Sequence, residues 1–494
     1  MNCVCGLVVK NKDVKKVKTV LEEKKLSNKY LKIRPYKEGL DQSIIPSSLR
    51  CGTFLNASLA TGTVHLDVSN VLNVLGIDAQ SPVTNLIEDV VAVEVPEDFK
   101  PMSAFETGIL QALEAAQCQP LPCPVTELID ILPKSYSIYS PMLLLPFHTF
   151  RNPHWQAIVS MLDADAERKK AFFSALATQI AVSHIAINAI IPAWSTLAEH
   201  EDSLENILRS PTNLQPIYGD FGNSLPAYPQ HIPFSTDYAE AFWVITKQNK
   251  IHQCWAPRYT MFSAGNVTEK ARLLTLPSVT AAIELGNQTG RGCTAVDLFA
   301  GIGYFAFSYV KAGCAKVLCW DLNPWSIEGL KRGAGMNQYG AQVLDFERDL
   351  ESVDTQRQSV YERVMPAVQD PSVKLIAFRE RNQNAWSRIK RFRHALPPIR
   401  HVNCGTLPTI GAAWKIATEA LDSKLGGHIH LHETCPENET TQRANHYVEL
   451  ILQYAKTLRR GNNTKVELEH IETVKSIGPR LLHVVFDIRI DFHT

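Results

Sequence analysis

From Ala295 onward, short apolar runs alternate with segments of helical spacing. Ala295 to Phe299 is an apolar run closed by glycine, which predicts a buried strand. Gly301 to Gly303 form a turn, Tyr304 to Ala312 follow with helical spacing, and Val317 to Trp320 predict a second strand. Strand, turn, helix and strand within about 30 residues make a βαβ unit. Asn323 is a good N-cap with Pro324 at the first helical position, so a helix starts there, carries Ile327, Leu330 and Lys331, and stops near Gly340. Further strands are expected at Leu375 to Phe378, Ile399 to Asn403, Gly427 to His432 and Leu481 to Ile490. This alternation predicts an α/β fold built on an open, mainly parallel sheet.

The first half is less regular. Val14, Val17, Val20 and Leu21, set among the lysines between Lys10 and Lys25, predict an amphipathic helix with a solvated basic face. Ala171 to Ala198 contains no Asp, Glu, Lys or Arg, but Gln179, Ser183, His184, Asn188 and Pro192 interrupt it. A buried helix running into a strand, His184 to Ile190, fits this better than a membrane span. Pro211, Pro216, Gly219, Gly222, Pro226 and Pro229 mark a turn-rich stretch. Two parts are expected: an N-terminal α+β region over residues 1–245, and a second domain over 246–494.

Composition narrows the class. The 494 residues are 45% hydrophobic and 20% charged, which excludes a disordered or collagen-like chain. Lys and Arg total 50 and so do Asp and Glu, so a nucleic-acid partner needs a local basic patch. One exists: Arg381 to Arg400 holds six Lys or Arg and no acid, interleaved with Trp386, Phe392 and His394. Basic groups follow phosphates while aromatic rings stack on unpaired bases. The 11 cysteines are odd in number, scattered and without a CxxC pair, and they read as reduced thiols. The N-terminal order of charged and apolar residues is wrong for a signal peptide, so a cytoplasmic protein is expected.

The chemistry concentrates at Asp297-Leu298-Phe299-Ala300-Gly301-Ile302-Gly303, which ends one strand and opens one helix. Glycines there admit a ligand close to the backbone, and Asp321, at the end of the next strand, suits ribose hydroxyls. Two ligands fit this spacing. A dinucleotide would take Gly301, Gly303 and Ala306 as GxGxxA. S-adenosylmethionine gives Asp297 a purpose, because a carboxylate ahead of the glycines can meet the methionyl amino group and would repel a pyrophosphate. The second is the better reading.

Ala256-Pro257-Arg258-Tyr259-Thr260-Met261-Phe262-Ser263-Ala264-Gly265-Asn266-Val267-Thr268-Glu269-Lys270, then Asp297 to Phe305 and Asp321-Leu322-Asn323-Pro324, resemble the wybutosine-synthesis aminocarboxypropyltransferases, relatives of the tRNA guanine-N1 methyltransferases. His184 to Ile190, Ser210 to Gly222 and Asn323 to Leu330 are most similar to the fungal branch, and the resemblance covers most of residues 180–494. It implies a class I S-adenosylmethionine-dependent methyltransferase-like, Rossmann-like domain, with the N-terminal region docking tRNA. The implied reaction moves the 3-amino-3-carboxypropyl group to C7 of the tricyclic base at position 37 of phenylalanine tRNA. Carried over residue by residue, Ser263 and Lys270 contact the cofactor together with Asp297, Gly301 and Gly303. Asp321 holds the ribose, and Glu380 and Asn382 lie near the adenine. Asn403, in His401-Val402-Asn403-Cys404-Gly405-Thr406-Leu407-Pro408, is the candidate contact to the base, and no catalytic base is identified. Arg258, Arg388, Lys390, Arg391 and Arg393 are the candidate contacts to the tRNA anticodon loop. His428, His430 and His432 share one strand face, yet the family has a similar stretch without a metal, so none is expected. Methyl transfer to guanine N1 by the same fold, or tRNA binding without catalysis, remain the alternatives.

Overall fold

A computed structural model describes residues 3–23, 33–35, 41–50, 68, 71–72, 77, 81, 84–94, 102–188, 214–226, 231–346, 360–405, 411–459 and 464–492. Lys24, Lys25, residues 189–198, Ser210 to Asn213, Pro229 and Thr406 to Pro408, all used above, lie outside the described residues. The chain divides into two compact units, Met1–Gln117 and Cys118–Thr494.

The first unit carries a four-stranded sheet of β1 (Cys3–Lys10), β2 (Arg34–Pro35), β3 (Gln42–Arg50) and β4 (Ile87–Glu94) in the order β2-β3-β1-β4. All its pairings are antiparallel. The amphipathic helix is present as Val14–Glu23, with Val17 and Leu21 buried in one cluster with Leu7, Val9, Ile45 and Val90.

In the second unit, β5 (Ser137–Tyr139), β6 (Met142–Leu145), β7 (His184–Ile187) and β8 (Gln215–Tyr218) form a small mixed sheet in sequence order. A hairpin follows, β9 (Val244–Gln248) and β10 (Ile251–Trp255). Tyr139, Met142, Ala186, Phe221, Val244, Trp255 and Ile302 share one apolar cluster. The boundary expected near residue 245 therefore falls inside this unit.

The large sheet has eight strands: β11 (Thr294–Asp297), β12 (Lys316–Asp321), β13 (Gly340–Asp345), β14 (Val373–Arg379), β15 (Ile399–Cys404), β16 (Gly427–Pro436), β17 (Thr464–Gly478) and β18 (Leu481–Phe492). Their order is β13-β14-β12-β11-β15-β16-β18-β17. Pairings from β13 to β16 are parallel, while β18 is antiparallel to both β16 and β17. An antiparallel strand inserted before the last edge is the arrangement of the class I methyltransferase sheet, here with β13 added at the opposite edge.

Alternation along the central strands sends side chains to two separate cores, as a parallel sheet covered on both faces requires. Val296, Leu318, Trp320 and Phe378 face the helices Val360–Gln369, Ala385–Phe392, Ala413–Ala420 and Thr440–Arg459. Ala295, Val317, Cys319 and Ala377 face Pro277–Gln288, Ala306–Ala312 and Pro324–Met336. Asn323 caps the last of these as expected, its Oδ1 accepting the Trp325 N–H at 2.9 Å with Pro324 at the first position. Within the basic stretch Arg381 to Arg400, Ala385–Phe392 is an amphipathic helix that buries Ala385, Ile389 and Phe392. The aromatic rings of the first core stack in a row, Trp320 on Phe378 at 4.2 Å between centroids and Phe378 beyond it to Phe392 at 6.3 Å.

Truncating Phe378 removes the middle ring of that row, so Phe378→Ala is expected to destabilise the fold by about 3–5 kcal/mol in denaturant unfolding. A loss below about 1 kcal/mol would mean that the core closes over the gap.

Candidate functional site

In a doubly wound sheet the strands on either side of the central one leave in opposite directions, which opens a crevice at their C-terminal ends. Here the central strand is β11, and Asp297 ends it, in register with Cys319 on one side and Asn403 on the other. Asp297 is fully buried. Its Oδ1 accepts the Phe299 N–H at 3.3 Å and the Asn403 Nδ2–H at 3.4 Å. Its Oδ2 is buried without a hydrogen-bond partner. Burial pushes the carboxyl from 3.8 up to about 7; the Phe299 and Asn403 donors oppose this, nearby Asp321 adds to it, and the Ala306 N–H opposes it more weakly.

The glycine turn follows at once. Gly301 and Gly303 have φ of +54° and +90°, and a Cβ on either would come within 2.6 Å of a ring, of Tyr304 and Phe307 respectively. Only glycine serves there, for conformation and for space. The Gly301 N–H donates to Asp321 Oδ2 at 2.9 Å, and Asp321 Oδ1 accepts the Asn323 N–H at 2.8 Å. Burial still pushes Asp321 up to about 6. The structure thus brings Asp297, Gly301, Gly303, Asp321 and Asn403 to one edge. Asn382 joins them, donating from Nδ2 to the Leu298 carbonyl at 3.1 Å.

Lys270 is buried in the helix Val267–Arg272. Its Nζ donates to Gln248 Oε1 at 2.9 Å, Gln253 Oε1 at 3.2 Å and the Ser263 carbonyl at 3.3 Å. The same ammonium lies 4.7 Å from the Phe262 ring centroid and 5.2 Å from that of Tyr304. None of these partners carries a negative charge. Burial, with a smaller push from Lys475, lowers the group from 10.5 to about 7. Arg272 fixes this helix by gripping Glu269 at 2.7 Å and Asp487 on β18 at 2.6 Å. Ser263 and Lys270, paired by sequence, are therefore neighbours. Sequence reasoning missed Gln248, Gln253 and the two rings, because hairpin contacts and ring faces leave no spacing signal.

Other candidates are placed differently. Glu380 is buried and committed: Arg388 donates to both its oxygens, Nε at 3.1 and 3.2 Å and Nη2 at 2.8 Å, with Trp320 Nε1 at 3.3 Å and Asn384 Nδ2 at 3.1 Å. Arg388 is thereby turned inward, also lying 4.2 Å from the Phe346 ring centroid. Arg393 caps the end of Ala413–Ala420 through the Glu419 and Leu421 carbonyls. Arg258 donates to the Phe221 carbonyl at 3.3 Å. Of the five proposed RNA contacts, Lys390 and Arg391 alone are exposed. His401, His428, His430, His432 and His483 form a buried group joined by hydrogen bonds and ring contacts. Among the described residues, the one cluster with ligand atoms close enough for a metal is Cys123, Glu127 and His154, away from this strand face.

A family model described as the TRM5/TYW2 methyltransferase domain matches residues 245–378. The tRNA wybutosine-synthesizing protein 2 of Schizosaccharomyces pombe is 34% identical over 72% of this chain and 72% of its own length. The chain belongs to the tRNA wybutosine-synthesizing protein 2 family. The Saccharomyces cerevisiae protein of that name is 28% identical over 74% of this chain and 76% of its own. A solved structure, Pyrococcus horikoshii TYW2 in complex with MeSAdo, is 16% identical, covers 78% of this chain and 100% of its own, and has a TM-score of 0.45. Membership decides between the two ligands that the glycine turn left open: the domain is of the methyltransferase type, an S-adenosylmethionine-using transferase, and a dinucleotide drops out. Ser263, Lys270, Asp297, Gly301, Gly303 and Asp321 all lie within the matched residues, whereas Glu380, Asn382 and Asn403 lie beyond them.

Burying Asp297 has a measurable consequence. Its pKa is higher in the fold than in the unfolded chain, so between about pH 4 and pH 7 the fold holds a proton that the unfolded chain has released, and stability falls as pH rises. Asp297→Asn is expected to match wild type near pH 4 and to exceed it increasingly up to pH 7, by up to roughly 4 kcal/mol at about 1.4 per pKa unit. A gap that is equal at pH 4 and pH 8 in denaturant unfolding would remove Asp297 as its source.

Proposed function

We propose that the chain transfers the 3-amino-3-carboxypropyl group of S-adenosylmethionine to C7 of 4-demethylwyosine at position 37 of phenylalanine tRNA. One observation carries the reading: the site buries a carboxylate oxygen without a hydrogen-bond partner and an ammonium whose partners are all neutral, the two charges that a methionyl moiety complements. Asp297 Oδ2 has no partner, which suits an ammonium, and Lys270 has no anionic partner, which suits a carboxylate. The residues present therefore fit S-adenosylmethionine.

When bound, the ligand supplies a sulfonium that already activates its Cγ, so the protein's task is orientation. Asp297 and Lys270 hold the two ends of the amino acid, and Asp321, oriented by two backbone N–H groups, accepts from the ribose hydroxyls. Asn382 keeps its carbonyl oxygen for the adenine amino group while its Nδ2 is tied to Leu298. Glu380, fully engaged by Arg388, Trp320 and Asn384, acts by shaping this wall. In this transfer C7 of the base at position 37 would bond to Cγ as the sulfur–Cγ bond breaks, with methylthioadenosine as the leaving group and the C7 proton passing to water. With the charge already on the donor, bringing the reacting atoms to about 3–3.5 Å supplies most of what the step requires. For the tRNA, Lys390 and Arg391 present two free charges on the outer face of Ala385–Phe392, and the anticodon loop is the part of the substrate they would meet.

Incubation with S-adenosylmethionine and precursor tRNA, followed by mass spectrometry of nucleoside 37, is expected to show a gain of the aminocarboxypropyl mass with methylthioadenosine released. A methyl gain with S-adenosylhomocysteine would place the chain with the guanine-N1 enzymes instead, and an unchanged nucleoside would leave only a tRNA-binding role. Replacing Lys390 and Arg391 together by Ala is expected to weaken tRNA binding and to lower the slope of log K against log salt by roughly 1 to 2, since each phosphate contact contributes about 0.7–0.9. An unaltered slope would put the docking face elsewhere.

A further inference from the structure

We propose that His432 and His483 are positioning residues for the Asp297 site: they fix the Asn403 amide so that its N–H faces Asp297, leaving the second oxygen of that carboxylate to receive a cationic amino group. The inference rests on the S-adenosylmethionine reading above and assigns a role to two histidines that the mechanism does not otherwise use.

The observation is a chain of hydrogen bonds crossing four strands. His483 on β18 meets His432 on β16, Nε2 to Nδ1, at 3.0 Å. His432 Nε2 meets Asn403 Oδ1 on β15 at 3.4 Å, and Asn403 Nδ2 meets Asp297 Oδ1 on β11 at 3.4 Å. His432 and His483 are each 1% exposed and Asn403 is 0% exposed. Water therefore has little access to substitute for any link.

The chain has one consistent direction. An ionised carboxylate only accepts, so for Asp297 to receive an ammonium Asn403 must present its N–H to it and its carbonyl to His432. His432 then carries its proton on Nε2 and accepts at Nδ1, which requires the proton of His483 on Nε2. His483 Nδ1 is left buried without a hydrogen-bond partner, as the end of a one-way chain should be. Both rings must stay neutral, and their surroundings keep them so. Burial holds His432 well below 6.5, helped by His483, His430 and Arg272 and opposed by Asp487. Burial and then Lys475 on β17 hold His483 down at about 4. Phe305 covers the His432 ring at 4.8 Å between centroids. With the amide reversed, two acceptor oxygens would face each other. Asp297 would then keep its own proton and lose its attraction for an ammonium. His430 belongs to a different path, through Asp487 at 2.7 Å and His401 at 3.1 Å, and does not reach Asp297.

Two ligands separate positioning from general damage. S-adenosylmethionine carries the amino group that Asp297 would receive, and methylthioadenosine lacks it. By calorimetry, His432→Leu is expected to weaken S-adenosylmethionine about tenfold while leaving methylthioadenosine within about twofold. His432→Gln, which keeps a donor toward Asn403, should restore most of the loss. His432→Leu added to Asn403→Ala should weaken binding no further than Asn403→Ala alone. Equal losses for both ligands, or an additive double variant, would overturn the proposal. If His432→Leu does not fold, His483→Leu, one link further out, is judged by the same two-ligand comparison. Wild type that binds neither S-adenosylmethionine nor methylthioadenosine would instead overturn the S-adenosylmethionine reading itself.

Discussion

The site depends on a carboxylate placed where water does not reach it. Asp297 ends the central strand of a sheet covered on both faces, and its neighbours Cys319 and Asn403 are themselves buried. Two donors at 3.3 and 3.4 Å offset part of the desolvation, and the remainder appears as a pKa pushed up to about 7. On the proposed reading, the ammonium of the ligand offsets that remaining desolvation. The Gly301 N–H holds Asp321 and the Asn403 amide holds Asp297 beside that position.

Lys270 is the mirror image of this arrangement. A buried ammonium held by two amide oxygens, one carbonyl and two ring faces is oriented but not neutralised, and burial lowers it to about 7. On the proposed reading, a ligand that brings an ammonium and a carboxylate together relieves both sites at once. Each relieved charge then adds to the stability of the complex, because a ligand that binds only the folded state shifts unfolding by mass action. The Arg272 grip on Glu269 and Asp487 keeps the lysine's helix against β18, so this part of the geometry is set by the C-terminal hairpin.

Much of the second domain was legible in the sequence because its signals are local. The βαβ unit, the Asn323 cap and the spacing of Asp297, Gly301, Gly303 and Asp321 need only neighbouring residues to be recognised, and all lie where expected. What was not legible depends on contacts between distant residues. Glu380 and Arg388 are eight apart and face each other only because Ala385–Phe392 turns back as a helix. Tyr139 packs on Trp255 at 4.9 Å across the boundary expected near residue 245, a contact between distant residues that no local pattern reveals. β17 was missed because it is a long edge strand rich in Lys and Glu, with three irregularities in its register. Charges and bulges at a sheet edge discourage pairing with other chains and also hide the strand from a hydropathy pattern.

On the proposed reading, the choice of carbon follows from how the donor is held. Methyl transfer needs the sulfonium methyl to face the base, and the amino acid end need only be bound. Transfer of the aminocarboxypropyl group needs the chain between Cα and sulfur to be held in one conformation, because Cγ moves with every rotation about the bonds beside it. A clamp that fixes both polar substituents of Cα removes most of that freedom, and a clamp built from rigid parts removes more of it. Lys270 is held by five contacts and Asp297 by its place on a central strand, so neither moves as a flexible surface side chain would. Selecting the carbon is then a matter of entropy removed in advance, which is consistent with a site that needs no strongly basic group to start the reaction.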